Sequence, residues 1–69
     1  MDEDERVKLI NQRTRYQQTC DEWRRQIARL ESQGNQDLGY MERQSKIAAL
    51  RADIAHLEEG IEAISDRLA

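Results

Sequence analysis

Ile47, Leu50, Ile54, Leu57, Ile61, Ile64 and Leu68 follow one another at alternating spacings of three and four without a break. Such a repeat lines a single stripe of an α-helix. It commits the second half of the chain to a helix that buries this stripe against other helices. Ala48, Ala49, Ala52, Ala55 and Ala63 lie between the seam residues, and alanine is the strongest helix former. The spacing predicts a helix over about residues 38–67.

The first half repeats the period in weaker residues. Leu9, Tyr16, Trp23 and Leu30 are seven apart, and Arg6, Arg13, Cys20 and Ile27 form the companion row. Asp2 to Glu5 place acids where a helix dipole favours them. A first helix is expected over about residues 3–33. Between the two lies SQGNQDLGY, where Gly34 can end the first helix, Asp37 can cap the second, and Gly39 falls in its opening turn. One continuous helix is the alternative, disfavoured because two glycines and an Asn-Gln-Asp cluster make poor helix.

The expected fold is therefore all-α: a single antiparallel helical hairpin over 1–69, with a turn at about 34–37. If the arms simply fold about Asn35 and Gln36, Trp23 faces Ala48, Tyr16 faces Ala55, and Arg13 comes beside Glu58 and Glu59. A chain of 69 residues buries little surface on its own, and one cysteine forms no internal disulfide. Self-association is the remaining source of stability. Pairing two hairpins into a four-helix bundle would bury the core positions Ile47, Leu50, Ile54, Leu57, Ile61, Ile64, Trp23 and Ile27.

Function is constrained mostly by exclusion. Cys20 and His56 are too few ligands for a structural zinc. Cys20 falls on the seam as a small apolar residue, and His56 falls off it. No phosphate loop or nucleophile–base pair occurs, so no enzyme, cofactor or metal is expected. No apolar run approaches the ~20 residues that span a bilayer. MDEDER lacks the basic and apolar regions of a signal peptide, which makes the cytoplasm the expected compartment. The net charge of −3 argues against a general nucleic-acid binder, although Lys8, Arg15 and Arg29 recur on one row, interrupted by Glu22.

Three aromatics remain. Trp23 and Tyr16 are in register with Leu9 and Leu30, hence packing residues, yet Trp, Tyr and Arg also dominate protein interfaces. Tyr40 either caps the core near the turn or forms a contact patch with Leu38, Met41 and Arg43. The candidate partner-binding residues are thus Tyr40, Leu38, Met41, Arg43 and Tyr16. Three roles fit: a small protein-interaction module, an RNA-binding bundle, or a structural coiled coil or assembly component.

As architecture the chain resembles the Rop-like class, helical hairpins that dimerise into four-helix bundles, one of which binds RNA loop pairs. In size, acidity and lack of motifs it is similar to short bacteriophage host-takeover proteins of the anti-quorum-sensing type. The second resemblance implies a homodimer that inhibits a host protein such as a transcription regulator or an ATPase. Neither resemblance carries over a residue motif.

Overall fold

The computed structural model describes residues 1–32 and 39–69. Two α-helices, α1 (Glu3–Ser32) and α2 (Tyr40–Leu68), pack along each other as an antiparallel hairpin. No strand occurs among the described residues. The proposed turn at 34–37, with Gly34, Asp37 and Leu38, lies outside the described residues.

Asp2 caps α1: its Oδ1 accepts the Glu5 N–H at 2.8 Å, and its carbonyl accepts the Arg6 N–H at 3.1 Å. Helix α2 starts two residues later than its spacing predicts. Its N-cap is Gly39, not Asp37, in an extended conformation (φ −63°, ψ 159°) with no side-chain cap. Glycine is tolerated there because the Gly39 carbonyl still accepts the Arg43 N–H at 3.0 Å.

The core is a short cluster of Cys20, Ile27, Ile47 and Ile54, with Trp23, Leu30, Leu50, Leu57 and Ile61 packed half-buried against it. Cys20 is the most enclosed residue at 1% exposure, and its thiol lies 3.9 Å from the Ile54 carbonyl oxygen. Leu9 and Ile64 are buried nearer the chain termini.

The register differs from simple folding about the turn. Tyr16 lies against Gly60 rather than Ala55, with Cε2 3.2 Å from where a Cβ on Gly60 would stand. Arg13 donates to Ser65 Oγ at 3.3 Å rather than pairing with Glu58 or Glu59. Ala48 and Ala55 are exposed rather than enclosed in the seam. The reason is helical phase. Ala48 and Ala55 each follow a seam isoleucine by one residue, which turns them ~100° away from the contact line.

Gly60 supplies what the alanines were expected to supply. In mid-helix it costs about 1 kcal/mol relative to alanine, and the space it leaves receives the Tyr16 ring. Gln12 Nε2 donates to the Tyr16 hydroxyl at 2.9 Å and steadies the ring from its own helix. Urea unfolding should therefore show Gly60→Ala gaining less than the ~1 kcal/mol of helix propensity. Gly60→Leu should lose about 1–3 kcal/mol by overpacking. A Leu variant as stable as the parent would mean the notch does not hold Tyr16.

Candidate functional site

The hairpin has two unlike long edges. Along one, charged side chains bridge the helices: Arg24 Nη2 donates to Glu58 at 2.9 Å, and Arg51 Nη2 to Glu31 at 3.2 Å. Arg24 also approaches Asp21 at 3.5 Å. These pairs are about half exposed, so each contributes only ~0–1 kcal/mol. Their larger effect is to roof the seam with hydrated charge.

Among the described residues, the other edge has no such roof. A groove of about 430 Å³ runs between Leu30 of α1 and Leu50 and Ala49 of α2, bordered by Arg29, Lys46 and Asp53. Trp23 and Tyr16 continue the row of Leu30 toward the N-terminus, and Leu57 continues that of Leu50. All of these apolar and aromatic side chains are only half-buried. The expected dimer-core residues thus fall into two sets. Ile27, Ile47, Ile54 and Ile64 are buried within one hairpin, whereas Trp23, Leu50, Leu57 and Ile61 are half-covered.

The turn end carries a third feature. Tyr40 is 61% and Met41 78% exposed. Tyr40 therefore does not cap the hairpin core, although it extends the isoleucine row. The register explains this: residues that meet, such as Cys20 and Ile54, place Ser32 about level with Glu42, in the first turn of α2. Tyr40 and Met41 lie beyond the level of the last residue of α1. The Arg43 guanidinium sits 5.7 Å from the Tyr40 ring centre, within cation–π range. Tyr40, Met41 and Arg43 are thus brought together; Leu38 lies outside the described residues.

Lys8 and Arg15 border a shallow groove with Asn11, Gln12 and Tyr16, and Arg29 borders the other groove, about four turns along α1 from Arg15. The basic row is therefore divided between two surfaces. Among the described residues, no group of three or more His, Cys, Asp and Glu side chains is placed to hold a metal ion. Among the described residues, no helix is long and apolar enough to cross a membrane.

No protein-family model matches the chain, and neither the curated proteins nor the solved structures give a significant match.

Among the described residues, the Cys20 thiol has a displaced ionisation. Burial pushes its thiol up; Arg24 opposes this, and Glu58 and Asp21 add to it. The folded state thus favours the neutral thiol. Any stability it contributes is complete below the thiol's unfolded pKa and declines as pH rises through its folded pKa. Iodoacetamide at pH 8 should label the folded chain at least about tenfold more slowly than the urea-unfolded chain, because only accessible thiolate reacts. Equal rates would place Cys20 outside the seam.

Proposed function

We propose that this chain is a small, non-enzymatic interaction module. Two hairpins pair through their unroofed edges into a four-helix bundle, whose protruding tips dock on another cellular protein and block or redirect it. The observation that carries this reading is the excess of exposed surface. The chain, of 8.1 kDa, exposes 5389 Å². A compact protein of that mass exposes about 4,500 Å². The difference, ~900 Å², is close to the ~800 Å² that each partner buries in a standard interface. The radius of gyration agrees: 15.8 Å against about 11 Å for a compact chain of this length. The apolar part of the excess lies on the edge of Trp23, Leu30, Leu50 and Leu57, where a second copy would cover it.

For the heterologous partner, the support is the tip. Tyr is enriched at interfaces, and Met adapts to varied surfaces. Tyr40 and Met41 are largely exposed at the start of α2, with Arg43 of the same helix over the Tyr40 ring.

A second reading rests on Lys8 and Arg15, which are exposed and join no ion pair among the described residues. Flanked by Asn11 and Gln12, they could contact RNA phosphates. Such binding would fall steeply with salt and disappear in Lys8→Gln/Arg15→Gln.

Sedimentation equilibrium at micromolar concentration should give twice the chain mass; a monomer would sink the bundle. In affinity purifications at moderate salt from nuclease-treated lysate, Tyr40→Ala/Met41→Ala should lose a stoichiometric partner that the parent retains. Its helicity and dimer mass should be unchanged. A partner that stays bound to the double variant would remove the tip from the proposal.

A further inference from the structure

The unroofed edge carries a charge pattern that distinguishes the two ways of laying one hairpin on another. Arg29 and Lys46 stand at the turn-ward end of its groove, one from each helix, and Asp53 borders it two turns away on α2. Glu22 occupies the row of Arg29 one heptad earlier on α1. None of the four joins an ion pair among the described residues. Each helix thus flanks the edge with one opposite-charge pair seven residues apart. The order is inverted between them: acid then base along α1, base then acid along α2. Because the helices are antiparallel, both bases lie toward the turn and both acids away from it.

The two pairs are also centred at one height. The midpoint of Glu22 and Arg29 falls between Arg25 and Gln26; that of Lys46 and Asp53 falls between Ala49 and Leu50. Cys20 touches Ile54. Five residues onward from Cys20 and five back from Ile54 lead to Arg25 and Ala49, so the midpoints are level to within about one residue.

A two-fold axis across the helices at that height turns the second copy end over end. Arg29 and Lys46 of one copy then meet Glu22 and Asp53 of the other, α1 over α1 and α2 over α2, with the turns at opposite ends. A two-fold axis along the helices keeps the turns together and lays α1 over the other copy's α2 at equal height. Arg29 then meets Lys46, and Glu22 meets Asp53, which are like charges on both counts.

We propose that the occupant of this edge is a second copy of the chain with its turn at the opposite end, its register set by Lys46–Asp53 and Arg29–Glu22 contacts between copies. The proposal rests on the dimer reading above and adds its orientation. Exposed ion pairs add little affinity, but over the stretch the two copies share, residues 19–32 and 40–59, the contrast between opposite and like charges selects between the two arrangements. Ala49, beside the axis, lets the two α2 helices approach closely.

The test is a charge-swapped chain, Glu22→Lys/Arg29→Glu/Lys46→Glu/Asp53→Lys, mixed with the parent and read by native mass spectrometry after equilibration. Turns at opposite ends make each chain complementary to itself and repulsive to the other. Heterodimer should then fall at least about threefold below the statistical half. With turns at the same end, the swapped chain complements the parent, and heterodimer exceeds half. Either that excess or a statistical mixture overturns the proposal. Should the swapped chain fail to fold, Ala49→Cys in a Cys20→Ala background replaces it. A short thiol cross-linker should join two such chains through residue 49, and a folded dimer that resists cross-linking overturns the proposal. A monomeric parent in the ultracentrifuge would instead defeat the dimer reading itself.

Discussion

Everything in this hairpin depends on the close meeting of α1 and α2 at Cys20 and Ile54. Cysteine is the smallest apolar residue of the α1 seam, and placing it at the centre lets the backbones approach until its thiol nears the Ile54 carbonyl. Ile27 and Ile47 close the cluster toward the turn. Away from this point the seam is filled by larger or more polar groups. Tyr16 needs the glycine at position 60 to fit, and Arg13 reaches past the core to Ser65. Few residues are enclosed, so stability from one hairpin alone is modest.

The two edges of the seam follow from that geometry. Long charged side chains at Arg24, Arg51, Glu31 and Glu58 lie on one flank and reach across it. On the other flank, Gln26, Lys46, Asp53 and Gly60 alternate with half-covered leucines and aromatics, and no bridge forms among the described residues. A surface that is apolar along its middle and charged along its rims is the composition of an interface. The same flank supplies the proposed dimer contact and its orientation. In the proposed module, Tyr40 and Met41 at the start of α2 are the part that would meet the second partner.

Some residues could have been read better from the sequence. Gly60 sits inside an otherwise strong helix beside the seam, and an isolated glycine there usually has a packing reason. Asp2, three residues before Glu5, has the spacing of a cap as well as of a helix-dipole charge. Tyr40 was ambiguous because its place on the isoleucine row depends only on period, whereas its exposure depends on where α1 stops. The same limit applied to Tyr16: its period put it on the seam, and only the register paired it with Gly60.

The amino-acid sequence by itself determined that the chain forms two helices, which stripe of each is buried, and that Cys20 belongs to the seam. These are local matters, decided by spacing and propensity within a few turns. Only the tertiary structure decided the register, and with it the Tyr16–Gly60 fit, the ionic roof on one edge and the overhang that exposes Tyr40. The physical reason is that a heptad repeat is nearly invariant to sliding by one repeat. The stripes match almost as well at several offsets, and the choice is made by a few side-chain volumes and charges that meet only across the fold.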